Sequence, residues 1–334
     1  MIGKQESFDL SATNTFSVES LCIRGSSGLE DKPADAEYVG LADLEREKLI
    51  GRGASGRVML MRHKATGEQY ALKELAAVAD QDARHQAANE LKIAQKHASN
   101  TDHLVSLIDA FFVNGQICIL MEFCDGGSLE EAFQHAAHVK GLPLGAIAVQ
   151  MSQGMKYMHR EMKQVHRDLK PGNVLLTGSG VVKLSDFGVS KQLDSTEALA
   201  STQVGSIAYM SPERLKGDVY GYPSDVWALG VIVLEGLIGA HPFPQEKYKS
   251  FISLFTAIAG GSTPPPPEGT PPETCTFVSQ CLQLEPDDRP VVESLLSEGW
   301  LTKAARGDVR QPVLAWLMKA AARRLANRII AEEE

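Results

Sequence analysis

The apolar periods along this chain predict an α+β fold: a small, mainly antiparallel sheet carrying one long helix, followed by a larger α-rich part. Two observations carry the prediction. Apolar residues alternate with period two in short segments between Glu47 and Glu122, and after Gly127 they recur at helical spacing.

Strands are expected at Glu47–Ile50, Val58–Arg62, Tyr70–Leu75, Leu104–Phe112 and Gln116–Glu122, with a helix over roughly Asp80 to His97 between the third and fourth. Helices are expected at Ser128–His138, Gly145–Arg160, Ser224–Gly239, Tyr248–Ala259 and Pro272–Leu282. Gly260 to Pro272 reads GGSTPPPPEGTPP, a loop or extended segment. Its prolines serve either as a stiff connector or as a partner motif. Asp308 to Glu334 reads as a helix with Pro312 near its first turn. Residues 1 to about 40, rich in Ser, Thr, Asp and Gly, read as a flexible tail.

The 334 residues give room for one large domain with tails or two modest ones, and ample core. The net charge of −9 repels phosphate backbones, which argues against general nucleic-acid or anionic-membrane binding. The apolar run Val226–Leu234 is far shorter than the roughly 20 residues of a membrane span. MIGKQESFDLSATNTF lacks the apolar stretch of a secretory leader, and Ile2 after Met1 breaks the myristoylation pattern. Cys22, Cys118, Cys124, Cys275 and Cys281 form no C-x-x-C pair, so reduced thiols and no zinc site are expected, in the cytosol or nucleus.

Gly51-Arg52-Gly53-Ala54-Ser55-Gly56-Arg57-Val58 lies between two strand patterns. The chain continues as a strand after it, so the loop is a hairpin lid rather than the strand-to-helix turn of a dinucleotide fold. Its glycines let backbone N–H groups approach phosphate oxygens. Lys73 follows in Tyr70-Ala71-Leu72-Lys73, where an ammonium suits ATP phosphates. A lysine in such a strand needs an acidic partner. Glu90 is the candidate; Glu74 is the rival, on the opposite face of the strand.

The most specific string is His166-Arg167-Asp168-Leu169-Lys170-Pro171-Gly172-Asn173. Asp168 suits the orientation and deprotonation of a substrate hydroxyl, Lys170 the neutralisation of a transferred phosphoryl group, and Asn173 the ligation of Mg²⁺. Asp186-Phe187-Gly188 follows, with Asp186 as the second metal ligand.

Together with Ser211-Pro212-Glu213, these motifs resemble the eukaryotic protein kinase set. The resemblance implies a bilobal protein kinase fold over residues 44–302 (N-lobe 44–121, C-lobe 124–302), with ATP and Mg²⁺ as cofactors. It implies that Asp225 anchors the catalytic loop, that Arg289 pairs with Glu213, and that His166 and Phe187 belong to the hydrophobic spine beside Gly188. It places Met121 at the gatekeeper position and Glu122–Cys124 at the adenine hinge, with Val58 and Ala71 in the nucleotide pocket. Lys170 suits a Ser/Thr-type kinase.

Gly53–Gly56, Asp186–Ser190 and Val204–Leu215 narrow the similarity to the MAP kinase kinase family. That family phosphorylates Thr and Tyr in the activation loop of a MAP kinase and is itself activated by phosphorylation. The implied phosphoacceptors are Thr196 and Thr202, with Ser195 and Ser201 as alternatives, and Arg167 as a partner of the phosphate. The 303–334 extension is similar to a C-terminal docking element, in which 308–317, including Trp316, would engage an upstream MAP kinase kinase kinase. Core packing of that helix is the equal alternative. Ser206 stands where Thr is common, Ala94 thins the spine, and only Lys4 precedes Phe8 and Leu10 where a docking motif has several basic residues. The alternatives are another kinase of the same broad group (a MAP kinase kinase kinase or a PAK-like kinase) and a pseudokinase scaffold. The latter usually lacks an equivalent of Lys73, Asp168 or Asp186.

Overall fold

The computed structural model describes residues 9–11, 15–18, 21–24, 28–29, 39–53, 56–75, 91, 101–114, 116–135, 139, 141–186, 207–244, 246–297 and 299–333, with backbone alone for 9–29 and 325–333. The chain divides into two compact units, residues 1–101 with 105–123 and residues 102–104 with 124–334.

In the first unit, β1 (Asp9–Ser11), β2 (Thr15–Val18), β3 (Leu21–Arg24) and β4 (Gly28–Leu29) form an antiparallel meander. This differs from the flexible tail that composition predicts. The alternations Thr15–Val18 and Leu21–Arg24 are short, but the register sets Leu10, Phe16, Ile23 and Leu29 in one cross-strand row. Apolar pairing across strands is the unit of sheet stabilisation, and it is invisible when each segment is read alone.

The main sheet follows: β5 (Leu44–Gly53), β6 (Gly56–His63), β7 (Gln69–Leu75), β8 (Leu107–Val113) and β9 (Gln116–Glu122), all antiparallel, in the order β5-β6-β7-β9-β8. The meander strands β3 and β4 lie against the edge strand β8. Asn114, with φ 52°, turns β8 into β9, as a tight hairpin requires. Met61, Tyr70, Leu72, Phe111, Cys118 and Leu120 close the core on one face of the sheet. Of the helix expected over 80–97 only Leu91 lies among the described residues; it is helical and fully buried.

The second unit opens with β10 (Gly127–Ser128), α1 (Leu129–His135) and α2 (Leu142–Tyr157), which runs into a π turn at Met158–Met162. Next come β11 (Val174–Leu176), which pairs antiparallel with β10, and β12 (Val182–Leu184), which pairs antiparallel with β11. Then follow α3 (Pro212–Lys216), α4 (Tyr222–Ile238), α5 (Phe251–Ala259), α6 (Pro272–Cys281), α7 (Val292–Ser297), α8 (Gly299–Ala304) and α9 (Arg310–Glu333). The α4 helix is apolar nearly all round and is the buried axle of the unit, as such a helix must be. Residues 263–267, the proline run, carry no regular structure.

The α9 helix packs on α1 and α2. Val313, Trp316 and Ala320, spaced to share one helical face, are buried in the main core, and Trp316 meets Phe133 edge-on at 6.4 Å. Gln150 secures the start of this helix: its amide nitrogen bonds Gly180 O (3.2 Å) and Val309 O (3.5 Å), and its oxygen accepts from Val182 N (3.0 Å).

Candidate active site

In the first unit the strand register sorts the site residues by face. Val58 opposes Lys73, Leu60 opposes Ala71, and β9 sets Met121 against Ala71 and Ile119 against Lys73. Cross-strand partners share a face, so Val58, Ala71, Lys73 and Met121 lie together, away from the core set of Tyr70 and Leu72. Lys73 is only 4% exposed. Glu74 stands on the other face and is taken by Arg46 and Arg57. Glu90, the expected partner of Lys73, lies outside the described residues.

The glycine-rich loop expected to cover phosphates is the β5–β6 hairpin. Arg52 faces Arg57 and Gly53 faces Gly56 in its register, with Gly51 opposite Val58. Ala54 and Ser55, at its tip, lie outside the described residues. Gly56 has φ 141°, and a Cβ there would fall 2.1 Å from Glu74 O. Any side chain would push β6 from β7, so the glycine is dictated by geometry. At the far end of β9, Glu122 is clasped to Ser106: its carboxylate accepts from Ser106 N at 2.6 Å and its N–H donates to Ser106 O at 3.1 Å.

In the second unit the side chains of the His166–Asn173 loop converge. Asp168 Oδ2 accepts from Lys170 Nζ and from Asn173 Nδ2, both at 2.8 Å. Asn173 Nδ2 also donates to Asp168 O at 2.7 Å. Ser185 N and Oγ both bond Asn173 O (2.9 and 3.2 Å), which brings the adjacent Asp186 to the loop. Arg167 and Asp186 have φ of 72° and 59°. Side-chain-bearing residues rarely hold that conformation, so the surroundings impose it.

Asp225 at the start of α4 supplies the constraint. Its carboxylate accepts from His166 N (2.8 Å), Arg167 N (3.1 Å) and His159 Nε2 (2.8 Å). Burial alone would raise its pKa, but the His159 bond and the two imidazoles hold it below the usual carboxylate range. His159 also stacks on Tyr222, with ring centroids 4.5 Å apart. Glu213 and Arg289 form a second buried anchor. Arg289 gives Nη1 to Glu213 Oε1 and Nη2 to Oε2, both at 2.8 Å. Its other donors go to Gln283 O, Pro223 O and Leu284 O, and its guanidinium lies over Trp227. Burial works to raise the Glu213 pKa, yet Arg289 holds it below the ordinary value.

The protein kinase domain family matches residues 44–301. The chain is 40% identical to mitogen-activated protein kinase kinase 2 of Arabidopsis thaliana, over 81% of this chain and 76% of that protein. It is 38% identical to the mitogen-activated protein kinase kinase SIPKK of Nicotiana tabacum (81% and 76%). With the dual specificity mitogen-activated protein kinase kinase dSOR1 of Drosophila melanogaster it shares 34% (85% and 77%). The chain belongs to the MAP kinase kinases. It is therefore an ATP-dependent protein kinase, and its two units are the small antiparallel and the larger helical lobe of that fold.

In this MAP kinase kinase, Phe187, Gly188, Ser195, Thr196, Ser201, Thr202 and Ser206 lie outside the described residues, as does Ala94. His166 is fully buried, and its ring nitrogens have no hydrogen-bond partner among the described residues, so the ring serves as packing surface. Sequence reasoning missed His159. It lies seven residues before His166 with no motif around it, and only the fold brings it to Asp225. It also missed the Tyr209–Glu235 contact. Tyr209 Oη donates to Glu235 Oε2 at 2.7 Å, and burial, with Glu130 nearby, pushes the Glu235 carboxyl up to about 7.

Proposed function

We propose that this chain transfers the γ-phosphoryl group of ATP to the Thr and Tyr hydroxyls of a MAP kinase activation loop, with Asp168 as the base. One observation carries the reading: both Lys170 and Asn173 hold the same oxygen of Asp168. That grip fixes the carboxylate plane and leaves Oδ1 to orient a substrate hydroxyl and take its proton. Asp225 holds the loop backbone, so the carboxylate is placed before substrate arrives.

Magnesium fits the donor set. The Asn173 amide nitrogen is spent on Asp168, so its carbonyl oxygen is left as a hard ligand, and Asp186 adds a carboxylate. The chemistry supplied by bound Mg²⁺ is neutralisation of charge on the nucleotide phosphates. Lys73, with Glu90, holds the phosphates from β7; Gly51 to Gly56 cover them; Val58, Ala71, Met121 and the Glu122–Cys124 stretch take the adenine. Lys170 neutralises the phosphoryl group in transit.

Activation runs through phosphorylation at Thr196 and Thr202, or the neighbouring Ser195 and Ser201, the phosphate pairing with Arg167. An upstream kinase docks on 308–317 through what α9 leaves outside the core. Leu314 and Leu317 are partly exposed, whereas Val313 and Trp316 are consumed by packing. The protein works in the cytosol or nucleus.

The test incubates the phosphorylated chain with inactive MAP kinases and γ-labelled ATP and maps the modified residues. Label on both Thr and Tyr of one activation loop is expected; label on Ser alone in unrelated proteins would move the chain to the broader kinase group. Asp168→Asn should lower kcat by about 10²- to 10⁴-fold, the usual contribution of a positioned base. Replacing Thr196 and Thr202 by Ala should abolish activation by an upstream kinase, and retained activation discards those sites.

A further inference from the structure

Two arginines of the second unit converge on one aromatic ring. Arg167 Cζ lies 5.9 Å and Arg214 Cζ 4.9 Å from the centroid of the Tyr220 ring. Arg214 Nη1 also donates to the carbonyl oxygen of Arg167. Arg214 is 8% exposed. Both arginines line a small cavity together with Asp168, Tyr209 and Ser224.

Like charges gathered this closely need compensation. The face of a tyrosine ring supplies part of it. Carboxylates supply none among the described residues. Asp168 is paired with Lys170, Asp225 is spent on His159 and on two backbone N–H groups, and neither Arg167 nor Arg214 makes an ion pair among the described residues. What remains among the described residues is a pair of guanidinium forks, one fixed by Tyr220 and a backbone carbonyl, with further N–H donors unspent there. Planar forks of this kind suit the oxygens of a phosphate monoester, which accepts from two guanidiniums at once.

We propose that Arg214 is a second phosphate-binding residue, forming with Arg167 a two-guanidinium site on Tyr220 for a phosphate monoester carried by the chain's own activation segment. The proposal rests on the activation reading above and adds to it a ligand that reading does not name. It also assigns a route for the signal. Arg214 grips the carbonyl of Arg167, whose backbone is held at φ 72°, and Asp168 is the next residue. A phosphate drawing the two guanidiniums together tightens the loop that carries the base.

The test uses the full chain, phosphorylated and not, as wild type, Arg214→Gln and Arg214→Lys. A ³¹P NMR pH titration reads the second ionisation of each phosphate, near 6 for a free monoester. Wild type should titrate clearly below that value. Arg214→Gln should recover about half a unit or more and lose about tenfold in the ratio of phosphorylated to unphosphorylated kcat/KM, with Arg214→Lys between the two. A ³¹P curve and an activation ratio unchanged in Arg214→Gln would overturn the role of Arg214. Equal loss of activity in both phosphorylation states would assign Arg214 to loop structure alone, and would overturn it as well. A wild-type titration at the free value, or no activation on phosphorylation, would instead overturn the activation reading beneath it. A third arm adds excess inorganic phosphate to the unphosphorylated wild type. Activation there equal to phosphorylation would assign the site to free phosphate and reject the tethered source.

Discussion

Glu74 in the small unit and Glu213 in the large one are both buried carboxylates met by arginine, yet they are held in opposite ways. Glu74 is covered by Arg46 and Arg57, whose side chains are 56% and 51% exposed. Glu213 is met by Arg289, whose side chain is 0% exposed. A third carboxylate, the half-buried Glu235, has a tyrosine hydroxyl and no ion pair among the described residues. The series teaches that the partner's burial, rather than the acid's, decides what a pair contributes. An exposed guanidinium keeps its water and is screened by salt; a buried one has nowhere else to turn.

Breaking the buried pair should have the largest effect. Arg289→Ala should cost roughly 3–5 kcal/mol, because it strands a buried charge. Arg289→Lys should cost most of that too, since an ammonium brings three donors to acceptors that now engage five N–H groups. Urea unfolding of both variants decides it, and a wild-type-like lysine variant would break the comparison. Asp225→Asn comes next. Lost bonds to a charged acceptor are worth about 1.5–3 kcal/mol, which predicts a fall in kcat of roughly 10- to 100-fold with KM little changed. Steady-state kinetics separate the two parameters.

Glu235 sharpens the middle of the series. Its carboxyl is pushed up to about 7 in the fold, from an ordinary value of 4.5. The folded state therefore holds a proton that the unfolded chain has released. This contribution is fully present below the ordinary value and is lost as pH rises through 7. Glu235→Gln cannot lose it, so the variant should gain Tm relative to wild type on going from about pH 5 to about pH 8. A pH-independent difference would remove Glu235 from the series. The smallest effect is expected at Glu74. Arg46→Ala or Arg57→Ala alone should cost less than about 1 kcal/mol, while the double variant should exceed their sum by leaving Glu74 uncovered. Chemical denaturation of all three variants tests it.

How much of this was legible in the sequence follows the range of the interactions. The five main strands were readable because alternation is local. The face on which Lys73 and Glu74 separate followed from the same period. The loop from His166 to Asn173 was legible as chemistry because its residue types at that spacing have few other uses. By contrast β10 to β12, α3, α7 and α8 are short, and their apolar residues acquire a face only against neighbours distant in sequence. The meander over 9–29 escaped because its apolar row runs across strands. His159 and Tyr209 gain their roles from Asp225 and Glu235, 66 and 26 residues away. The choice between docking and core packing for α9 was open in the sequence because both need the same amphipathic stripe. The fold buries that stripe, with Val313, Trp316 and Ala320 in the core, and leaves Met318 exposed on another face of the helix.

That buried stripe has a consequence for how the protein comes into being. The floor under Val313, Trp316 and Ala320 includes α2, completed by Tyr157, so a nascent chain carries an uncovered apolar trough until more than a hundred further residues have emerged. Contacts that join such distant stretches close late and slowly. Meanwhile the trough is a surface for chaperones or for misassembly, and a message cut short before Trp316 would yield a polypeptide marked for disposal rather than a smaller working enzyme.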